Sequence, residues 1–245
     1  MQPQHLTARP GEVAERVLVV GDPARAKMVA EELLEDARVV SENRALYVYT
    51  GRYKGVPVSV AVHGIGAPSA AIVFEELRML GARAMLRLGT AGGLRPEVDV
   101  GHAVVVTGAA YYCGGTLGVY THGACMPTAP DPHLTVLLYD AAKGKGLTVH
   151  KGPVISNDAF YAESPDFAEY WSKRGMLAVE MECATLFALG WMRGFATAAI
   201  VVIADNLVIP EKQKLLHHEE LAPIMRKAAE AALDALVAYS PEQHA

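Results

Sequence analysis

The sequence predicts an α/β fold, with one α/β/α sandwich domain spanning residues 1–245 and a central mixed, largely parallel sheet. Two observations predict this fold. Short apolar and β-branched runs, typical of buried strands, alternate along the chain with longer amphipathic patterns typical of helices. The chain also has no internal repeat and no linker-like low-complexity segment, and 51% of its 245 residues are hydrophobic, which suits one large core.

Composition narrows the classes of function. The formal net charge is −5 and no block of Lys or Arg stands out, so neither nucleic acid nor a membrane surface is expected as a partner. No signal-peptide pattern and no run of about 18 apolar residues occurs, which predicts a cytoplasmic protein. The cysteines Cys113, Cys125 and Cys183 match neither a zinc site nor a paired disulfide framework, so no metal is expected. Cys125, in a Gly-rich loop, is a candidate for an intersubunit disulfide if the source is a hyperthermophile.

The first predicted strand, residues 16–20, leads into Gly21 and a helix start. Asp22 is a good N-cap and Pro23 suits the first helical position. At such a junction backbone N–H groups point past the end of the strand and form an anion site. Arg25 lies in the first helical turn, where the helix dipole disfavours a cation. A bound anion would explain Arg25, and a solvated surface arginine is the alternative.

Residues 46–53 and 56–62 are predicted to form a β-hairpin around a short glycine turn. The second strand leads into a Gly-Ile-Gly segment at 64–66, after which Pro68 opens a helix that Gly81 ends. A Gly-x-Gly that lacks the third glycine of a dinucleotide fingerprint is weak evidence for a nucleotide site.

The next predicted strand, residues 83–88, carries an arginine and ends in a Gly-rich segment at 89–93. A buried strand rarely contains an arginine unless the guanidinium has a partner. Arg87 is well suited to phosphate because its planar fork matches phosphate oxygens, and Thr90 and nearby glycine amides add neutral donors. A phosphate ligand and a structural ion pair both remain open for Arg87.

The remaining chain continues the alternation of strands and helices. Strands are predicted at 103–109, 148–155 and 197–203, and helices at 134–145, 167–174 and 218–239. The connection 111–132 has several glycines and no helical period, so it is predicted to be a functional loop or an interface. Asp205 follows the last strand, where parallel α/β sheets place functional groups, although a loop or N-cap role is equally open.

Residues 177–187 are predicted to pass from a strand end into a helix. Glu180 and Glu182 flank Met181 in this apolar run, and charges in such a setting are costly unless they bind something. One interpretation places both carboxylates at a helix N-terminus. The other is that one of them accepts hydrogen bonds from a polyhydroxylated ligand.

These pieces together describe nucleoside phosphorolysis, because they offer donors for phosphate, an acceptor for a sugar, an aromatic face and an acid. The sequence also resembles the nucleoside phosphorylase family, which includes hexameric purine nucleoside phosphorylases and uridine phosphorylases. The matching segments follow the family order over nearly the whole chain: 21–25, 49–51, 63–69, 87–90, 158–161, 179–182 and 204–205. Segments 11–23, 179–187 and 205–207 look closer still to archaeal-type 5′-methylthioadenosine/purine nucleoside phosphorylases.

The resemblance implies a site with three parts. The residues that would bind phosphate are Gly21, Arg25, Arg87 and Thr90, with Arg44 from a neighbouring subunit. Those that would bind ribose are Met181 and Glu182, with His5 from the neighbour on the 5′ side. Those that would contact the base are Phe160, Val179 and Asp205.

The resemblance also implies the reaction and the assembly. Inosine, guanosine, adenosine and 5′-methylthioadenosine are the candidate substrates, and Asp205 would protonate, or hydrogen-bond to, N7 of the leaving purine. Inorganic phosphate would be the co-substrate and no metal or organic cofactor would be required. Sites shared between two subunits would make a dimer the minimum unit, and the family usually builds a homo-hexamer from three dimers.

Two features depart from the family pattern. Ala204 stands where many purine-type members have serine. Segment 210–218 contains no arginine, whereas the bacterial purine enzymes have one that helps the acid protonate the base. Lys212, Lys214 or a histidine of this segment are candidates to replace it, and none of them is assigned the role.

Three alternatives compete with purine nucleoside phosphorolysis. The Gln and Arg of a uridine phosphorylase pocket are absent from 162–170. A methylthioadenosine/S-adenosylhomocysteine-type nucleosidase needs no phosphate pocket, so it leaves Arg25, Arg44 and Arg87 unexplained. A non-catalytic nucleoside-binding protein leaves Asp205 unexplained.

Overall fold

The computed structural model describes residues 2–162, 164–213, 215–216 and 218–241. Within these residues the strands are β1 (Arg16–Val20), β2 (Glu35–Ser41), β3 (Val48–Tyr53), β4 (Val56–Val62), β5 (Ala84–Gly93), β6 (Ala103–Tyr111), β7 (Val149–Ser156), β8 (Ala178–Glu180) and β9 (Ala196–Asn206). The helices are α1 (Pro23–Leu33), α2 (Ala67–Met79), α3 (Gly115–Thr121), α4 (Pro132–Gly144), α5 (Phe167–Ser172), α6 (Cys183–Arg193) and α7 (His218–Ala238).

The strands form one mixed sheet in the order β2-β3-β4-β1-β5-β8-β7-β6-β9. Strand β9 also pairs with β5, so the strands from β5 to β9 close into a ring and the other four extend from it. Neighbours β4, β1, β5 and β9 run parallel to one another, whereas β2–β3, β3–β4, β5–β8 and β6–β9 are antiparallel. The predicted mixed sheet is confirmed, while its closure was not predicted.

Helices cover both faces of the sheet, as the sequence predicts. On one face Val19 of β1 packs in a core with Phe74 of α2 and Phe187 of α6. On the other face Leu18 packs in a second core with Leu138 of α4 and with α1 and α7. Adjacent residues of β1 point to opposite faces, so a strand that is buried on both faces must be apolar throughout. No helix of the described chain is both long and apolar enough to cross a bilayer.

The sequence prediction missed the edge strand β2 (Glu35–Ser41). Five of its seven residues are exposed, and they include acidic and basic side chains. Charged edge strands are common because charge discourages pairing with another chain. Such a strand lacks the apolar alternation from which strands are recognised.

Two strands are longer than predicted, and the predictions of their ends were wrong. Strand β5 continues beyond Leu88 to Gly93, and β9 continues beyond Ile203 to Asn206, because their parallel pairing extends over both ends. Thr90 and Asp205 therefore lie on strands and not in the loops that follow them.

The connection 111–132 contains a helix that its composition does not suggest. Helix α3 (Gly115–Thr121) begins after Gly114 and ends at His122, which adopts a left-handed conformation with φ 52°. The prediction of a connection without helix was therefore wrong. Glycines at 114, 115 and 118 hide the helical period in the sequence.

Candidate active site

A cavity of about 990 Å³ opens where β4, β1, β5 and β9 end. The carboxyl ends of parallel strands meet at one edge of a sheet, and ligands of α/β proteins bind there. The cavity is lined by nine of the residues proposed from the sequence: Gly21, Arg25, Arg87, Thr90, Phe160, Val179, Met181, Glu182 and Asp205.

The turn after β1 forms one end of the cavity. Asp22 caps α1 by accepting a hydrogen bond from the Ala24 amide at 2.8 Å, so the helix N-terminus points into this end. Arg25 is only 6% exposed and donates from Nη1 to the Leu88 carbonyl at 3.1 Å. Its Nε has no hydrogen-bond partner among the described residues, and burial lowers the pKa of Arg25 to about 10. The alternative of a solvated surface arginine is thereby wrong.

Arg87 lies beside this turn and is 4% exposed. Its Nη2 donates to Oε2 of Glu182 and lies 3.4 Å from Oε2 of Glu180. Burial acts to lower the pKa of Arg87, but the charges of Glu182 and Glu180 and the hydrogen bond to Glu182 together help to outweigh it, and the pKa is raised. Nε and Nη1 have no partner in the part of the chain that the structure describes. Arg87 therefore forms an ion pair with Glu182, and its Nε and Nη1 donors remain available for a ligand.

Gly89 makes room for the guanidinium of Arg87. A Cβ added at Gly89 would lie 1.8 Å from Nη1 of Arg87 and 2.6 Å from its Cζ. The arginine therefore lies directly over the glycine backbone, in a position that a larger residue at 89 would take. This close approach explains why a glycine follows so closely after the buried arginine.

Glu180 serves as a helix-start carboxylate. Its Oε2 accepts the amides of Glu182 at 2.8 Å and Cys183 at 2.9 Å, and its Oε1 accepts a hydrogen bond from the Ser156 hydroxyl. These bonds satisfy two free amides at the start of α6. The first interpretation from the sequence is confirmed for Glu180.

Glu182 faces the cavity as a buried anion. Its Oε1 accepts the Gly66 amide at 2.6 Å and its Oε2 accepts from Arg87. Burial acts to raise the pKa of Glu182, but Arg87, His63 and the Gly66 amide lower it. Each carboxylate oxygen can accept a second hydrogen bond, so the group retains capacity for a ligand.

A β-bulge directs Asp205 to the cavity. Ala91 pairs with Ile203, but Gly92 pairs with Asp205, so Ala204 is an extra residue in β9. Both Ala204 and Asp205 line the cavity. A Cβ added at Gly92 would lie 2.4 Å from Cδ1 of Leu207, 3.2 Å from Oδ1 of Asp205 and 3.3 Å from Cγ1 of Val179, so these side chains pack directly against the glycine.

Phe160 lies at the rim of the cavity and is 57% exposed. Its ring contacts Tyr161 edge-on, with centroids 5.0 Å apart. An exposed aromatic face at the mouth of a cavity is suited to cover a planar ligand.

His5 and Arg44 do not line the cavity of their own chain. His5 contacts Oε1 of Glu76 through Nδ1 at 2.7 Å, and its carbonyl accepts from Asn43 at 2.9 Å. Arg44 is exposed in the 3₁₀ turn Asn43–Ala45, with a left-handed φ of 57°. The two residues thus lie in neighbouring parts of one surface, and their roles remain predictions.

Several cavity residues were missed by the sequence prediction. Asn157 follows β7 directly and lines the cavity, and its Nδ2 donates to the Ala159 carbonyl at 3.2 Å. A polar residue after an apolar strand was the available signal. The other missed residues include Ile65, Phe167, Leu207, Gln213, Leu215, Leu216, Leu221 and Met225. Most of these are apolar and carry no signal of a site in the sequence.

Lys212 is not directed at Asp205 as a substitute for the missing arginine. Its Nζ pairs with Oδ2 of Asp99 at 2.5 Å. The other candidate lysine, Lys214, lies outside the described residues, as does His217. The described residues also form no cluster of three or more His, Cys, Asp or Glu side chains that could hold a metal ion.

The fold and the cavity define an α/β protein whose cavity has two buried arginines at one end, a buried carboxylate beside them and apolar residues in the remainder. A family model described as the phosphorylase superfamily matches residues 15–240. The chain belongs to this superfamily, and the family predicted from the sequence is confirmed.

Relatives and a solved structure agree with this assignment. The chain is 36% identical to the guanosine phosphorylase of Halorubrum lacusprofundi over 229 residues, which covers 94% of both chains. It is 38% identical to a DeoD-type purine nucleoside phosphorylase of Clostridium novyi over 211 residues, or 85% of this chain and 89% of the relative. The crystal structure of purine nucleoside phosphorylase from Toxoplasma gondii in complex with immucillin-H superposes with a TM-score of 0.85 at 28% identity, covering 96% of this chain and 97% of that one.

Proposed function

We propose that this protein is a purine nucleoside phosphorylase, which uses inorganic phosphate to split a purine nucleoside into free base and ribose 1-phosphate. One observation carries the proposal. Nε of Arg25 and both Nε and Nη1 of Arg87 are buried beside the cavity without a partner in the described chain. An unmade buried hydrogen bond costs about 1–3 kcal/mol, so this end of the cavity is built for an anion. The names of the relatives support the same reaction.

Phosphate binds in this proposal between the turn after β1 and the end of β5. The Gly21 amide and the start of α1 supply backbone donors, Arg25 and Arg87 supply charge, and Thr90 supplies a hydroxyl. Arg44 of a neighbouring subunit completes the anion site. Ribose lies next to phosphate, with Glu182 accepting from the 2′- and 3′-hydroxyls and Met181 against the apolar face of the sugar.

The reaction follows from this order of subsites. The glycosidic bond breaks toward an oxocarbenium-like sugar, and a phosphate oxygen forms the new bond to the anomeric carbon. Arg25 and Arg87 hold the attacking anion in place, which lowers the barrier through orientation and electrostatics. Asp205 donates a proton, or a hydrogen bond, to N7 of the leaving purine, so the base departs without a full negative charge. No metal or organic cofactor takes part.

The proposal includes a homo-oligomer with shared sites, at least a dimer and, as the family usually builds, a hexamer of three dimers. His5 and Arg44 act in the site of the adjacent subunit, which is supported by their common surface outside their own cavity. The enzyme acts in the cytoplasm, a location that fits three cysteines with no disulfide within the chain. An intersubunit disulfide through Cys125 stays a prediction.

A panel of nucleosides tests the proposed function. Inosine, guanosine, adenosine, 5′-methylthioadenosine and uridine are each incubated with phosphate, and the free base is measured by chromatography. At least one purine nucleoside should be cleaved with a higher kcat/KM than uridine. A preference for uridine over every purine nucleoside would contradict the proposal, because it would identify a uridine phosphorylase. Light scattering tests the assembly, and an active monomer would contradict the shared site.

A further inference from the structure

The residue after the proposed acid is held by four hydrogen bonds. Asn206 is fully buried at the end of β9. Its Nδ2 donates to the carbonyls of Arg95 at 2.9 Å and Val98 at 3.0 Å, and its Oδ1 accepts the amides of Val208 at 3.0 Å and Ile209 at 3.1 Å. Both N–H groups and both lone pairs of the side-chain amide are therefore used.

These bonds connect the chain segments that follow β5 and β9. Asn206 pairs in register with Gly93, and the Leu207 amide donates to the Gly93 carbonyl at 2.9 Å. A Cβ added at Gly93 would lie 2.9 Å from Nδ2 of Asn206 and 2.6 Å from the Val98 carbonyl oxygen. The asparagine thus occupies a slot that exists only because residue 93 is a glycine.

The slot lies directly after the β-bulge at Ala204. The extra residue changes the face of the sheet to which each later side chain of β9 points. A shift of one residue in the pairing register would therefore turn Asp205 away from the cavity. The side chain of Asn206, two residues beyond Ala204, is bound to both of the segments that follow β5 and β9. Its four bonds therefore fix the register in which Asp205 lines the cavity.

We infer that Asn206 is a positioning residue, which holds the carboxyl group of Asp205 at N7 of the leaving base. This inference rests on the proposed function. The role requires an amide, because two of its partners are acceptors and two are donors. Aspartate in its anionic form would supply no donor to the Arg95 and Val98 carbonyls, although its shape is nearly the same.

Two nucleosides separate positioning from general damage to the fold. Guanosine needs a proton or hydrogen bond at N7 as its base leaves. In 7-methylguanosine N7 already carries a methyl group and a positive charge, so its base departs as a neutral species without help from Asp205. A defect that acts through Asp205 lowers turnover of guanosine alone, whereas a structural defect lowers turnover of both nucleosides.

The experiment compares Asn206→Asp and Gly93→Ala, which disturb the slot in independent ways, with Asp205→Asn. All three should reduce kcat for guanosine by roughly 10- to 100-fold, which reaches the lower end of the ~10²–10⁴-fold that general acids contribute, and change kcat for 7-methylguanosine by less than about 3-fold. Leu138→Ala, in the core of α4, is the control for loss of stability, and it should leave the ratio of the two rates unchanged.

The outcomes distinguish this inference from the proposed function. Equal losses on both nucleosides, or no loss, in both slot variants while Asp205→Asn remains selective would overturn the positioning role alone. A non-selective Asp205→Asn would overturn the acid role of Asp205 and the positioning role with it. If the unmodified protein cleaves neither nucleoside with phosphate, the proposed function itself fails.

Discussion

Arg87 donates from Nη2 to Oε2 of Glu182. The residue proposed to bind phosphate and the residue proposed to bind ribose therefore form one buried ion pair. The Gly66 amide binds the other carboxylate oxygen at 2.6 Å. Buried polar groups that are bound in this way hold their geometry, because leaving either partner unpaired is costly. The relative position of the two proposed subsites, for phosphate and for ribose, therefore follows from this pair.

Replacing Glu182 by glutamine tests the division of roles within the pair. Glu182→Gln keeps the size of the side chain but removes its charge. The kcat/KM for a purine nucleoside should fall by about 10- to 100-fold, since hydrogen bonds to a charged group contribute about 1.5–3 kcal/mol. The KM for phosphate should not rise, because Arg87 loses its competing partner. Steady-state kinetics with each substrate varied in turn give both values, and a loss of phosphate affinity alone would refute the assignment.

Gly89→Ala should weaken phosphate binding. The added Cβ would lie 1.8 Å from Nη1 of Arg87, so the guanidinium must leave its present position. We expect KM for phosphate to rise by roughly 10-fold or more, the equivalent of about one hydrogen bond to a charged group. Gly144→Ala is the matched control, because a Cβ at Gly144 meets nothing within 4 Å. An unchanged KM for phosphate in Gly89→Ala would show that Arg87 does not bind it.

His63 should make stability depend on pH. It is fully buried against Phe74, and neither ring nitrogen has a partner among the described residues. Burial lowers the pKa of His63 to about 3. The value in an unfolded chain is about 6.5, so the folded protein binds fewer protons between these values. The contribution of neutral, buried His63 to the free energy of unfolding is present above about pH 6.5. It is lost as the pH falls towards the pKa of His63 in the folded protein.

Chemical unfolding of His63→Gln measures this contribution. Between about pH 6.5 and pH 5 the free energy of unfolding of the unmodified protein should fall more steeply than that of the variant, by up to about 1.4 kcal/mol per pH unit. His133→Gln, at an exposed histidine, is the matched control. Parallel curves for the unmodified protein and His63→Gln would disprove the prediction.

Glu76 should anchor the amino-terminal segment that carries His5. Its carboxylate accepts the backbone amides of Gln4 at 2.9 Å and Leu6 at 2.7 Å, besides the contact with the His5 ring. Burial acts to raise the pKa of Glu76, but these hydrogen bonds lower it. The stabilisation is therefore complete above the unfolded value of about 4.3 and is lost as the pH falls through the lower folded value.

Limited proteolysis of Glu76→Gln tests this anchor. The neutral amide accepts hydrogen bonds more weakly than a carboxylate, so cleavage near the amino terminus should be faster in the variant at neutral pH. The unmodified protein should be cleaved near the amino terminus at the same rate only at acidic pH, where Glu76 is protonated. Equal rates at neutral pH would mean that the carboxylate does not hold the segment.

Much of the fold could be predicted because it depends on local sequence. The Asp22–Pro23 helix start and the hairpin of β3 and β4 follow from neighbouring residues. The closure of the sheet could not be predicted, because β9 pairs with two strands that are distant in the sequence. The bulge at Ala204 likewise depends on the register with β5, which no local pattern encodes.

In the candidate site, too, the residue types could be predicted from local sequence, whereas their contacts could not. Arg87 and Glu182 could be selected because charges stand out in apolar runs. Their contact could not be predicted, since it depends on how β5 and β8 meet. Asn157 and Asn206 were overlooked because an asparagine after a strand usually indicates a turn. Only their surroundings in the folded chain distinguish these two asparagines from ordinary turn residues.

The requirement for phosphate tests the central claim most directly. Release of purine base from guanosine is measured with and without inorganic phosphate, and the sugar product is identified. The site formed by Arg25 and Arg87 predicts a rate that saturates with phosphate and one ribose 1-phosphate for each base. Equal rates of base release without phosphate, with free ribose as the product, would contradict phosphorolysis and identify a hydrolase.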